Sequence, residues 1–220
     1  MVEVKICGIT NSADACIAAD YGVAALGFIF YPKSPRYIDP AGAKVVLNQI
    51  PGPIIRVGVF VNQSAKEIGA VAAFCRLHLI QLHGDESPLF CRQFPADRVI
   101  KAFSLREEED IEKIRAYRVR GVLIDSRCPG IYGGTGERAD WGLARKAGEA
   151  QPLILAGGLG EDNVAEAIRS VSPRALDLNS GLEASPGKKD PRKIRRVMDL
   201  IRGLQPAKPA VGVKSFFGRG

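Results

Sequence analysis

The sequence predicts an α/β protein, a single (β/α)8 barrel of the TIM type followed by a short flexible tail. Three observations predict it. Short apolar runs rich in Val, Ile and Leu recur eight times, the pattern of parallel strands covered on both faces. Their starts lie 23, 30, 24, 20, 22, 32 and 22 residues apart, which leaves room for one helix and two loops in each interval. No GxGxxG turn follows the first run, as it would in an open dinucleotide-binding sheet.

The strands are expected at Val2–Cys7, Ala25–Ile29, Ile55–Val61, Leu79–Leu82, Val99–Phe103, Gly121–Asp125, Leu153–Ala156 and Ala175–Leu178. Helix starts mark the gaps. Asp39-Pro40, Ser87-Pro88 and Asp190-Pro191 each set a capping side chain before a proline at the first helical position. Ser64 with Glu67 and Ser104 with Glu107 read as capping boxes. A long loop with Gly133, Gly134 and Gly136 follows the sixth strand, as a tight backbone path or a moving lid. The barrel is expected to fill residues 1–205. From Pro206 helical periodicity is lost, and the basic stretch 206–220 reads as a disordered tail in which Phe216 and Phe217 are the only candidates for docking.

Composition narrows the function classes. With 46% hydrophobic and 25% charged residues among 220, the chain is an ordinary globular one. Its longest uncharged apolar stretch, Val23 to Tyr31, is half the roughly 20 residues a membrane span requires. Glu3 and Lys5 stand where a secretory signal would be apolar, so a cytoplasmic location is expected. Five scattered cysteines without a CxxC and only two histidines suggest neither a disulfide framework nor a metal centre. Of the net charge of +7, the last fifteen residues hold three cations and no acid, leaving +4 for the body. That balance suits a small anionic substrate better than nucleic acid, and the run from Lys188 to Arg196 reads as a solvated helix face. Monomer and homodimer are both open.

Parity places polar residues at the barrel mouth, because side chains two apart on a strand share a face. Lys5 and Cys7 share one, and Gln81, His83, Lys101, Asp125 and Asp177 interrupt apolar strands near their ends. Cys7 is the cysteine to test as a base, since the Lys5 cation beside it would favour the thiolate. Asp125, next to a glycine-rich loop and near Asp177, is the candidate general acid. Gly157, Gly158, Ser180 and Gly181 follow strands seven and eight, where barrels commonly bind phosphate through backbone N–H groups. Arg36, in the proline-framed loop after strand two, could grip a carboxylate through two hydrogen bonds.

The segments VKICGIT, ALGFIFYPKSPRYI, VGVFVN, IQLHGDE, LIDS with GGTG, ILAGGL and LDLNSGLEASPGKKD, in that order from Val4 to about Asp190, resemble the phosphoribosylanthranilate isomerase family of tryptophan biosynthesis. The resemblance implies a cofactor-free Amadori rearrangement of a phosphorylated small molecule. In it Asp125 is the acid, Cys7 the base, and Arg36 the anthranilate carboxylate site. The loops at Gly157-Gly158 and Ser180-Gly181 would take the phosphate, and Gln81, His83 and Asp177 would line the pocket. Family patterns usually carry serine where this chain has Asn179. The competing readings are the related sugar isomerase of histidine biosynthesis or a dual-substrate enzyme, which generally present aspartate at the position of Cys7, and a non-catalytic phosphate-binding barrel.

Overall fold

The computed structural model describes residues 2–125, 140–204 and 215–218. Eight parallel strands close into a barrel in the order β1 to β8: β1 Glu3–Ile6, β2 Ala25–Ile29, β3 Ile55–Phe60, β4 Leu79–Leu82, β5 Val99–Phe103, β6 Gly121–Ile124, β7 Leu153–Leu155 and β8 Ala175–Leu178. Closure comes from the pairing of β1 with β8, in register from Glu3↔Ala175 to Ile6↔Leu178. The helices are α1 Ser12–Asp20, α2 Pro40–Gln49, α3 Ala65–Phe74, α4 Pro88–Cys91, α5 Glu109–Arg115, α6 Trp141–Ala150, α7 Val164–Val171 and α8 Pro191–Gly203. A small hairpin, β9 Glu183–Ser185 with β10 Lys188–Lys189, stands between β8 and α8.

The sequence signals act where expected, with one exception. Asp39, Ser87 and Asp190 cap helices that begin with proline, and Ser64 with Glu67 closes a reciprocal capping box. The box expected at Ser104 and Glu107 does not form: α5 starts at Glu109 without a side-chain cap, and the Ser104 hydroxyl turns to the Asp125 carbonyl instead. No helix among the described residues is long and apolar enough to cross a membrane.

Period-two alternation divides the core. Val4, Ile6, Leu26, Phe28, Ile80, Leu82, Val122, Ile124, Leu176 and Leu178 point outward and pack under the helices. Ala25, Val57, Leu79, Ile100, Leu123, Ile154 and Ala175 point inward and fill the barrel. Closer to the C-terminal ends of the strands the inward row turns polar, and that is where the site lies.

Of the tail, residues 215–218 are described, and they include the two docking candidates Phe216 and Phe217. Residues 205–214 lie outside the described ones, but Phe216 and Phe217 are buried within the inner cluster, at the end of the barrel opposite the mouth. The Glu3 carboxylate accepts the backbone N–H groups of both and the Ser215 hydroxyl, while Arg120 donates to the carbonyls of Phe216 and Gly218. At roughly 1.5–3 kcal/mol for each buried aromatic side chain, the two rings hold residues 215–218 to the barrel.

Candidate active site

The inward row of β1 ends in Lys5 and Cys7, and its neighbour β8 supplies Asp177 directly opposite Lys5. A fully buried ammonium is stable only if paired, and both Asp177 oxygens lie 2.8 Å from Lys5 Nζ. Burial alone would lower the Lys5 pKa, but Asp177 and then Cys7 outweigh it and hold the lysine charged. On β2, Gly27 leaves space for the group: a Cβ there would stand 2.8 Å from Cys7 Sγ and 2.9 Å from Lys5 Cε.

Cys7 itself is buried, and burial pushes its thiol above the ordinary range. Lys5 draws it back, Asp177 adds to the rise, and Lys189 acts with Lys5 without reversing the balance. Lys5 thus favours the thiolate, as expected, but desolvation is the larger effect and leaves the Cys7 thiol above its ordinary value.

On the other side of the mouth, Gln81 and His83 close the inward row of β4 and Asp125 that of β6. Gln81 Nε2 donates to His83 Nδ1 at 2.8 Å, so the ring proton of the neutral imidazole sits on Nε2, 3.5 Å from Asp125 Oδ2. Asp125 is fixed by its backbone N–H to Phe103 O and is near enough to Asp177 for its charge to be felt there. Gln81 Oε1 is buried and accepts from no described residue.

Lys101 does not join them. Its β5 neighbours Ile100 and Ala102 point inward, so Lys101 points out, where Nζ donates to the carbonyls of Leu82, Gly84 and Ala102 and pairs with Glu86 at 3.2 Å. The glycines of the loop after β6, and Cys128 with them, lie outside the described residues.

The two glycine loops meet. Gly157 and Gly158 have φ of +91° and +58°, which glycine adopts without strain. A Cβ on Gly181 would fall 2.0 Å from Leu159 O, so only glycine lets the loop after β8 lie against that after β7. Ser180 and Gly181 open a short 3-10 turn, Ser180–Leu182, whose first N–H groups have no preceding turn to receive them. Asn163 locks the β7 loop, accepting from Gly160 N and donating to Gly158 O.

Arg36 reaches the mouth over Gly8, where a Cβ would come within 2.9 Å of its Cδ. Its Nε and Nη2 clasp Glu183 at 2.7–3.1 Å, and Glu183 also receives Lys189 Nζ at 3.0 Å. Neither Glu183 nor Lys189 stood out in the sequence. Lys189 belongs to the basic run read as a solvated helix face, yet it is 2% exposed and lies in β10.

A family model for N-(5′-phosphoribosyl)anthranilate isomerase matches residues 4–200 of the chain. The chain belongs to this family. It is 48% identical over 205 residues to the phosphoribosylanthranilate isomerase of Syntrophus aciditrophicus, covering 93% of this chain and 89% of that protein. With that of Trichlorobacter lovleyi it shares 47% over 208 residues, 94% of this chain and all of the other. Among solved structures, the phosphoribosylanthranilate isomerase of Thermotoga maritima superposes with a TM-score of 0.83 at 41% identity, covering 93% of this chain and 100% of that one. A family structure in complex with reduced 1-(o-carboxyphenylamino)-1-deoxyribulose 5-phosphate superposes at 0.79 with 40% identity and the same coverage. The matched span ends before the docked Phe216 and Phe217.

Proposed function

We propose that the chain isomerises N-(5′-phosphoribosyl)anthranilate to 1-(2-carboxyphenylamino)-1-deoxyribulose 5-phosphate in tryptophan biosynthesis. The observation that carries the reading is the pair Cys7 and Asp125, ending the inward rows of β1 and β6 above one buried ion pair, Lys5 with Asp177. The reaction needs an acid at the ribose ring oxygen and a base at C2′, on opposite sides of one sugar.

In this reading the glycine loops after β7 and β8 hold the phosphate and Arg36 holds the anthranilate carboxylate, so the sugar lies between Cys7 and Asp125. Asp125 gives its proton to the ring oxygen; the C1′–O bond breaks and the nitrogen lone pair forms the iminium. That new cation, one bond from C2′, favours the thiolate that burial of Cys7 disfavours. Cys7 then takes the C2′ proton, the C2′–H electrons close the enolamine, and protonation at C1′ with loss of the enol proton gives the ketone. One proton returns from Cys7 to Asp125 through water, and the cycle closes without a cofactor.

His83 orients Asp125 from Nε2, and Gln81 Oε1 is an acceptor for a hydroxyl of the opened sugar. A cytoplasmic location accords with the free thiols of Cys7, Cys16, Cys75 and Cys91. The test is a fluorescence assay with phosphoribosylanthranilate and, in parallel, the aminoimidazole substrate of the histidine pathway. Turnover of the first is expected. Turnover of the second alone, or phosphate binding with no turnover of either, refutes the assignment.

A further inference from the structure

Arg36 has two donor edges. Nε and the inner N–H of Nη2 are spent on Glu183, with contacts of 2.9 and 3.1 Å from Nε and 2.7 Å from Nη2. Nη1 with the outer N–H of Nη2 forms the second edge, and no described residue accepts from it. A guanidinium so held is well oriented, but a single carboxylate on one edge also cancels its charge. An arriving carboxylate would then meet a neutral pair whose nearest full charge after the guanidinium is another anion.

Lys189 removes that difficulty. Its ammonium is fully buried and gives its donors to Glu183 Oε1 at 3.0 Å, Asn179 Oδ1 at 2.8 Å and Asn179 O at 3.3 Å. The hairpin holds it there by pairing Lys189 with Glu183, and its backbone N–H is tied to Asp14 Oδ2 on α1. Gly187 N adds another donor to Glu183. Burial alone would lift the Glu183 carboxyl, yet Arg36 and Lys189 hold it below the usual range, an anion shared between two cations. Burial pulls the Lys189 ammonium below its ordinary value while Glu183 draws it back up, and with its proton in place the three side chains sum to one positive charge, the complement of one carboxylate.

We propose that Lys189 is a specificity-determining positioning residue: it neutralises Glu183, so that Glu183 orients Arg36 without cancelling its charge toward an aryl carboxylate. The proposal rests on the reading that Arg36 takes the anthranilate carboxylate. Lys189 touches no substrate, and its effect on Arg36 runs through Glu183.

The experiment measures, by calorimetry, the Kd values of two probes: reduced 1-(2-carboxyphenylamino)-1-deoxyribulose 5-phosphate and its phenylamino counterpart lacking the carboxylate. Their ratio isolates the carboxylate and is expected to be about 10- to 100-fold in the unaltered enzyme, the range for charged hydrogen bonds. In Lys189→Met the ratio should fall about tenfold with the second probe unaffected. In Glu183→Gln, which keeps an acceptor for Arg36 but no charge, it should hold or rise, and in the double variant it should recover. An unchanged ratio in Lys189→Met, or equal weakening of both probes, overturns the proposal. If Lys189→Met does not fold, the near-isosteric Glu183→Gln decides, a lower ratio counting against it. Arg36→Met separates the two layers: no change there refutes the carboxylate reading itself, whereas a fall there without one in Lys189→Met refutes only the role of Lys189.

Discussion

Changing the pH exposes the weakest point of the proposed chemistry, because the base is a thiol that the resting site keeps protonated. Burial holds Cys7 above its ordinary value, with Lys5 and Lys189 pulling down and Asp177 pushing up. At an ordinary thiol pKa of about 8.5, roughly 3% would be thiolate at pH 7, and the folded enzyme must hold less. Since only the thiolate is alkylated, iodoacetamide should label Cys7 at a rate that climbs close to tenfold per pH unit from about pH 7 to 8.5 without levelling, and mass spectrometry of the labelled peptide at fixed ionic strength would record it. Cys7→Ala removes the base and should cost on the order of 10²- to 10⁴-fold in kcat, leaving product-analogue binding within a few-fold. A flat profile over that range, or turnover of Cys7→Ala near the original value, refutes the reasoning and takes Cys7 out of the proton path.

Three further outcomes are expected. Asp125→Asn should lose a comparable factor in kcat, and because ring opening then lacks its proton, raising the pH should not restore it; recovery at high pH would assign the acid elsewhere. Gly181→Ala places a methyl 2.0 Å from Leu159 O and must part the two glycine loops, so KM should rise with phosphate-bearing ligands hit hardest, and an unchanged affinity for inorganic phosphate would contradict the placement of that site. Phe217→Ala, at a position 2% exposed, should cost up to about 3–5 kcal/mol, the ceiling being the free energy with which the segment docks, and at about 2–4 °C per kcal/mol lower Tm by on the order of 10 °C with kcat intact. A melting curve that does not move would show that Phe217 adds nothing to stability.

The barrel was legible because its signals are local and repeated: buried apolar strands, capping residues before proline, and the Ser64–Glu67 box all report within a few residues of where they act. Strand parity carried the reading on to Cys7, Gln81, His83, Asp125 and Asp177, which the structure brings to one mouth. It misjudged Lys101, because a buried lysine looks the same from either face until Ile100 and Ala102 are seen to take the inner one. Glu183 and Lys189 were not legible, since their meaning comes from Arg36, 147 residues away from Glu183 in the chain. Phe216 and Phe217 were obscured by the proline, glycine and charge around them. What tips the balance there is an apolar barrel interior assembled from seven distant strands, which no local window contains.

Glu3 touches both ends of the described chain: it lies in the first strand and holds the backbone of Phe216 and Phe217. A short peptide linking residue 218 back to residue 2 would thus have little distance to span, and the chain could be reopened at a surface turn between any two βα units. Circular permutants of that design should keep the mouth intact, since every group assigned to it projects from the far rim of the cylinder.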